Sequence, residues 1–393
     1  MTLRTLLFST LYPSAVRPGH GIFVETRLRE LLATGKVTTK VVAPVPWFFS
    51  KNPRFGEYGR MASIPSREQH NGIDISHPRY ILLPKIGMNS APHCMAMGAL
   101  PTIKRLMREG FDFDLIDAHY YYPDGVAAGI IAEKLGKPFV VTARGTDINL
   151  IPDFNYPKQL ILETAAKANA SICVSKALAE RLAKLGADPQ KLKVFRNGVD
   201  LERFQLESKS EARAKLGISA APTLLSVGNL IELKGHHIAI EALTKLPSET
   251  QLIIAGAGPD LTTLQSLVSQ LALEKRVRFV GQVKNEMLKW WYNAADTLVL
   301  CSSREGWANV LLEAMACGTP VVATPVGGTT DILASASVGR LMAERSANAL
   351  AAAYLDLQTS QPERQAIRQY AEQFSWQETS RNQIELFEAI ANA

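Results

Sequence analysis

At 393 residues the chain is too long for one ordinary core, so two domains of about 200 residues are expected. Apolar residues make up 47% and charged residues 20%, which fits a soluble globular protein, and no apolar run reaches the roughly 18 residues of a membrane span. The formal net charge of +6 is unevenly spread: residues 1–196 carry 26 Lys and Arg against 16 Asp and Glu, and residues 197–393 carry 17 against 21. A basic first half suggests an anionic partner there. No helix-turn-helix, zinc-finger or RNA-recognition signature supports nucleic acid, so an anionic membrane surface or an anionic acceptor fits better.

The N-terminus, Met1 to Tyr12, is short and apolar with Arg4 early, as in a secretory leader. No small-residue cleavage site follows, so Thr5–Leu11 reads as a first buried strand and the expected compartment is the cytoplasm. Further strands are expected near 38–43, 114–118, 138–143, 170–174 and 193–196, with helices near 22–34, 123–135, 157–169 and 176–186. Pro44 to Leu100 is rich in proline and aromatics and reads as irregular. Periodicity lapses again over 198–221, the expected linker. Strands then recur near 223–227, 251–255, 276–280, 297–301, 320–323 and 338–342, with helices between and after them. Short apolar strands alternating with amphipathic helices imply two doubly wound parallel sheets, an α/β fold. The four cysteines, Cys94, Cys173, Cys301 and Cys317, stand among apolar neighbours without a C-x-x-C pair and read as reduced core residues.

The most informative stretch runs from Arg304 to Pro320. It follows the buried strand Thr297–Leu300 and turns helical at Asn309, a candidate N-cap, with Gly318 as a candidate C′ residue. Glu305 lies in the loop, and Glu313 lies in the middle of a nearly all-apolar helix, where a carboxylate needs a polar partner. A loop carboxylate, a buried helix carboxylate and a helix N-terminus together describe a site for a polar, phosphate-bearing ligand.

These residues resemble the E-x7-E signature of retaining glycosyltransferases, most closely family 4, and the resemblance covers nearly the whole chain. It implies the GT-B architecture: two Rossmann-like domains facing across a cleft, with a last helix returning to the first. On that reading the acceptor-side domain is 1–197, the linker 198–221, the nucleotide-sugar domain 222–373 and the returning helix 374–393. By the resemblance, Glu305 meets sugar hydroxyls, Glu313 meets the ribose, and Gly306 and the amides near Val310 and Leu311 approach the diphosphate. Lys234, after the first strand of the second half, fits the role of neutralising the diphosphate. The family usually carries Arg where Asn229 stands, so one expected cation is missing.

Gly256 and Gly258 end the next strand and should let backbone approach the nucleotide. Gln282 and Val283 end the third strand, where the family reads the base through backbone groups. Gly327-Gly328 marks another tight strand-end loop, with an ordinary turn as the alternative. In the first half, Gly19 and Gly21 open the first helix and resemble a glycine-rich loop closing over the donor phosphates. His119, at a strand end, matches the family's active-site histidine. Arg144 stands where the family often has His and is a candidate for an anionic acceptor group, with Asp147 orienting it. Asn197, in Arg196-Asn197-Gly198-Val199-Asp200, resembles the P-N-G-V-D stretch bordering the cleft on the acceptor side.

The resemblance implies a retaining glycosyltransferase that moves a hexose from a nucleoside-diphosphate sugar to a hydroxyl acceptor, in polysaccharide or glycolipid synthesis. His119, Glu305 and Lys234 are the candidate catalytic residues. Metal independence is expected, and no cofactor beyond the sugar nucleotide. A phosphorylase would need a cofactor lysine or an inorganic phosphate site that the sequence does not reveal, and an epimerase would lack the paired glutamates. A non-catalytic sugar-nucleotide binding subunit is opposed by intact Glu305, Glu313, Lys234 and His119. Trp47 to Arg60 interleaves aromatic and basic residues in an expected loop, and Lys104, Arg105 and Arg108 add charge. Both point to peripheral attachment on the inner face of an anionic membrane, consistent with a lipid-linked acceptor, with aromatics packed against their own domain and merely solvated charges as the alternative.

Overall fold

A computed structural model describes residues 2–82, 87–360 and 362–393. Two compact units emerge: residues up to Arg196 together with Gln377–Ala393, and Asn197–Trp376. The strands of the first are β1 (Leu3–Phe8), β2 (Val37–Val42), β3 (Val45–Pro46), β4 (Arg67–His70), β5 (Ile73–Ser76), β6 (Arg79–Tyr80), β7 (Leu115–His119), β8 (Phe139–Ala143), β9 (Ala170–Cys173) and β10 (Leu192–Val194). Eight of them form one sheet in the order β10-β9-β8-β7-β1-β2-β5-β4, and β3 pairs with β6 apart from it. Among the described residues only the β4–β5 pair is antiparallel. β7, β8 and β9 are buried along their whole length, which is why they read as continuous apolar runs.

The second unit contains β11 (Thr223–Val227), β12 (Gln251–Ala255), β13 (Val277–Gly281), β14 (Thr297–Leu300), β15 (Val321–Ala323) and β16 (Gly339–Leu341). Their order is β13-β12-β11-β14-β15-β16 and every pair is parallel. Winding reverses between β11 and β14 here, and between β1 and β7 in the first unit. Open parallel sheets bind ligands at such switch points, outside the carboxyl ends of the strands. The loops that matter therefore follow β1 and β7 in one unit, and β11 and β14 in the other.

The helix Trp376–Ala391 supplies Ile384 and Phe387 to a core containing Leu3, Leu115, Val140 and Ile172 of the first sheet. The returning helix expected from the sequence is thus packed into the first unit. All four cysteines are free, and three are buried.

Three stretches differ from their sequence reading. Pro44 to Leu100, apart from residues 83–86 outside the described residues, holds a β-hairpin (β4–β5), a helix over Gly56–Ala62 and the start of a helix over Ala91–Arg108. Pro92 and Pro101 masked that long helix, because proline normally ends one. Its buried positions, Met95, Ala99, Ile103 and Leu106, nevertheless keep helical spacing. The Trp47–Arg60 stretch is accordingly a short 3₁₀ turn, Pro53–Phe55, running into the Gly56–Ala62 helix. The region 198–221 contains a helix, Lys209–Leu216, capped by Ser208 and ended by left-handed Gly217. Arg213 fixes it to the second unit through Asp296 at 2.7 Å and the Ala294 carbonyl at 2.9 Å.

Candidate active site

In the second unit the loop after β11 forms a 3₁₀ turn, Glu232–Lys234, before the helix His236–Ala242. The Lys234 stem passes over Gly228, where an added Cβ would lie 3.5 Å from it. Lys234 Nζ donates to Glu305 Oε1 at 2.6 Å, and Ser302 Oγ donates to the same oxygen at 2.6 Å. The two sequence candidates, 71 residues apart, therefore meet across the β11/β14 switch point. Both side chains stay partly open to solvent.

Asn229, Gly256, Gln282 and Val283 line one pocket of about 200 Å³ with Gly228 and Leu288. Close approach of backbone also accounts for Gly256 and Gly258. A Cβ on Gly256 would sit 1.8 Å from the Gly228 carbonyl oxygen, and one on Gly258 would sit 2.3 Å from that of Leu230. These glycines let two strand-end loops touch, and Gly228 N and Leu230 N donate to the Ala255 and Ala257 carbonyls at 3.0 Å. Gly327, at φ 52°, is likewise required by close approach, since its Cβ would meet the Glu305 carbonyl oxygen at 1.8 Å.

The signature helix spans Asn309–Ala316. Its N-cap is Ala308, so Asn309 is the first helical residue rather than the cap. Asn309 Oδ1 instead accepts from Asn197 Nδ2 at 3.3 Å. Asn197, expected on the acceptor side, thus belongs to the second unit beside the signature helix. Leu311 N donates to the Ala308 carbonyl at 3.0 Å, Val310 is half-buried and Gly306 is buried. Gly318, at φ 71°, takes the left-handed position after the helix. The polar partner that Glu313 needs is Tyr292, whose hydroxyl donates to Oε2 at 2.7 Å. Burial pushes the Glu313 carboxyl upward, while the Tyr292 hydrogen bond and Arg203 oppose that shift. Burial and the neighbouring Glu313 raise the Tyr292 phenol in turn.

His236 escaped the sequence reading. Its Nε2 faces the Asn229 carbonyl at 3.2 Å and must donate, so Nδ1 accepts from Ser226 Oγ at 2.9 Å. Burial lowers its pKa to about 4. A neutral imidazole therefore props the Asn229 loop. The only cue in the sequence was its place just after the Lys234-Gly235 turn.

In the first unit, His119 ends β7 and is only 1% exposed. Arg144 donates to His119 Nδ1, and because arginine has only donors that nitrogen must be the acceptor. His119 Nε2–H then donates to Asp117 Oδ2 at 3.2 Å. Burial lowers the His119 pKa to about 4 against the pull of Asp117. Asp117 Oδ2 also accepts from Gln383 Nε2 at 3.1 Å, and Gln383 Oε1 accepts from the buried Arg27 Nε at 2.9 Å. Arg27 extends the network to the Phe195 carbonyl at 3.1 Å.

Asp147 is bonded to backbone amides, and its charge also acts on Arg144. Its carboxylate accepts from the amides of Gly145 at 2.7 Å, Tyr121 at 2.8 Å and Arg144 at 3.1 Å. Arg144 itself lies 5.4 Å from the Phe23 ring centre. Across the β1/β7 switch point, Asp124 accepts from both the amide and the hydroxyl of Thr10. Burial raises the Asp124 carboxyl to about 7 despite those bonds. Gly19 is exposed, whereas Gly21 is the left-handed N-cap of the helix Ile22–Ala33 and rests against the Leu11 backbone. Among the described residues no group of three or more His, Cys, Asp or Glu is placed to hold a metal ion.

Two Rossmann-like units, a last helix packed into the first, and a charged pair at the second switch point are the features of a GT-B glycosyltransferase that uses a nucleoside-diphosphate sugar. The glycosyl transferases group 1 profile matches residues 208–374 and the Glycosyltransferase Family 4 profile matches residues 65–203. A putative teichuronic acid biosynthesis glycosyltransferase of Bacillus subtilis is 31% identical over 357 residues, 89% of this chain and 88% of that protein. Sucrose-phosphate synthase from Thermosynechococcus elongatus superposes with a TM-score of 0.80 at 20% identity over 99% of both chains. The Anabaena protein HepE in complex with UDP-glucose superposes at 0.73 and 20% identity, covering both chains fully at 100%. The chain belongs to the retaining glycosyltransferases of family 4.

Proposed function

We propose that this glycosyltransferase moves a hexose from a UDP-sugar to a hydroxyl of a lipid-linked or polysaccharide acceptor, during synthesis of a surface polymer. The observation that carries the reading is the Lys234–Glu305 pair at the second switch point, in the same unit as the pocket lined by Asn229 and Gln282. The relative from Bacillus subtilis, named for teichuronic acid biosynthesis, and the UDP-glucose complex of HepE support the polymer and the donor.

In this reading the base lies in the Asn229–Val283 pocket, and Glu313, with Oε2 held by Tyr292, meets the ribose through its other oxygen. Lys234 turns from Glu305 to the diphosphate, and Glu305 is released to hydroxyls of the sugar. The bond from the anomeric carbon to the phosphate oxygen breaks as that carbon bonds to the acceptor oxygen on the same face. The acceptor's proton passes to the leaving phosphate. Lys234 and the Val310 amide in the first turn of the signature helix stabilise the charge that develops there, with no metal ion. One such donor is worth about 3–4 kcal/mol. His119 and Asp147 set the position of Arg144, which meets an anionic group of the acceptor. Incubation with UDP-, GDP- and ADP-sugars, with release of the diphosphate as readout, tests the donor. Release from GDP- or ADP-sugars alone overturns it.

Peripheral attachment to an anionic membrane on the cytoplasmic side belongs to the same proposal. Trp47 is 57% exposed and Phe49 69%, beside exposed Lys51 and Arg54. Phe48, Phe49, Phe55 and Tyr58 cluster with ring centroids 4.5–5.4 Å apart, edge-on or tilted except for the stacked Phe48–Tyr58 pair. Glu57 offsets Arg60 at 2.7 Å, and Glu109 offsets Arg105 at 3.6 Å, so the net cation is smaller than the sequence implies. Among the described residues no helix is long and apolar enough to cross a membrane. Co-sedimentation with liposomes should grow with anionic lipid and fade with salt. Absence of binding at low salt leaves a soluble acceptor.

A further inference from the structure

A second pocket, of about 340 Å³, lies wholly within the first unit at the carboxyl ends of β1 and β2. That volume falls in the range of about 300–1,000 Å³ typical of small-molecule sites. The site differs sharply in chemistry from a sugar site. Its wall is mostly apolar, built from Leu11, Val45, Pro46, Met61, Ile64 and Tyr80, and among the described residues no carboxylate lines it. Sugars are bound through many polar groups, and a desolvated hydroxyl without a partner is costly. This wall offers few partners. Among the described lining residues Arg17 is the one Lys or Arg; it donates to His20 Nδ1 at 3.1 Å and lies 3.8 Å from exposed Glu57, while His20 and His77 add imidazoles. Thr10 and Ser14 add hydroxyls.

The same segment makes both the pocket wall and the exposed aromatic surface. Pro46 and Met61 line the pocket, and the residues between them include exposed Trp47, Phe49, Lys51 and Arg54. An apolar wall is thus joined by chain to a surface suited to a lipid interface.

We propose that this pocket holds the apolar chain of an amphiphilic acceptor, an alkyl or polyisoprenyl phosphate, with the phosphate at Arg17. The proposal rests on the reading of the chain as a transferase with a lipid-linked acceptor, and names where the lipid goes. Apolar burial supplies the affinity, at about 25 cal/mol per Å² removed from water. The charge-assisted bond from Arg17 fixes which end of the acceptor points to the switch-point loops.

Decyl phosphate below its micellar concentration is the probe, titrated calorimetrically into the full chain. Saturable binding is expected, with decanol and inorganic phosphate each weaker by at least about tenfold. Met61→Arg, which places a charge on the wall, should abolish decyl phosphate binding. Arg17→Ala should reduce it to the level of decanol. Binding of the nucleoside diphosphate to the same samples should be unaltered, which establishes that both variants are folded. The proposal is overturned if Met61→Arg binds decyl phosphate as the parent does, if inorganic phosphate binds as tightly as decyl phosphate, or if a protein competent for the diphosphate shows no saturable binding. A protein that takes decyl phosphate yet releases diphosphate from no sugar nucleotide would refute the transferase reading and leave the lipid pocket standing.

Discussion

At the switch point of the second sheet, Lys234 and Glu305 meet as an ion pair still partly open to solvent. At that of the first sheet, Thr10 and Asp124 meet with the carboxyl fully buried and its pKa raised to about 7. The first unit also seals Arg27, Asp117, His119 and Gln383 into one buried network. Charge left accessible can change partners when a ligand arrives. Charge sealed inside cannot do so without leaving a desolvated group behind, and it serves instead to fix the positions of loops. Substitutions in the two places should therefore fail differently, one in turnover and the other in stability.

Lys234→Ala is the sharpest probe. Turnover at saturating donor should fall by about 100-fold or more, as for loss of one preorganised donor. Stability should hardly move, because partly exposed ion pairs contribute about 0–1 kcal/mol. A variant that keeps full diphosphate release, or that loses activity only by unfolding, breaks the comparison. Gln383→Leu is its counterpart in the first unit. It strips Arg27 Nε of its acceptor and Asp117 of a donor, and should cost about 2–4 kcal/mol in urea denaturation. Diphosphate affinity should remain at the parent value, and a fall in that affinity would contradict the assignment of Gln383 to architecture.

Glu313→Ala comes next, with diphosphate affinity lowered about tenfold, or roughly 1.4 kcal/mol, by calorimetry. Glu305→Ala should leave that affinity intact and slow transfer. Equal losses in both variants would show that the two carboxylates share one partner. The smallest effect concerns acid. His236 titrates at about 4 when folded against 6.5 when free, so the unfolded chain binds the extra proton and stability is lost as pH falls from 6.5 towards 4. His119 acts in the same direction in the first unit. His236→Asn should make the acid limb of the denaturation profile shallower over that window, and an unchanged limb would mean that His236 is not held neutral by its surroundings.

Much of this was legible before any coordinates. The strands of the second unit fall within a residue or two of their expected places, because each is a short apolar run closed by turn residues. The paired glutamates were legible from their spacing on a strand–loop–helix pattern. What escaped depends on contacts between residues distant in sequence. Nothing in the chain announces that Tyr292 will meet Glu313, that Gln383 will meet Asp117 across 266 positions, or that His236 will hold the Asn229 carbonyl. Nor does the sequence distinguish a glycine required by a neighbouring loop from one required by a ligand, and Gly256 both touches the Gly228 loop and lines the pocket. The helix Ala91–Arg108 was missed because local proline rules were overridden by tertiary packing.

The placement of Gln377–Ala393 in the first unit has a consequence for the order of assembly. Every residue of Asn197–Trp376 leaves the ribosome before the helix that completes the earlier unit has emerged. The second unit can close first, although it is encoded second. Meanwhile Arg27 and Asp117 wait for Gln383, and Leu3 and Leu115 wait for Phe387. A nascent chain stalled short of those residues would present one finished unit and one with an open core, the kind of surface that chaperones bind and proteases cut. Pulse proteolysis of stalled chains should find the later half protected before the earlier one.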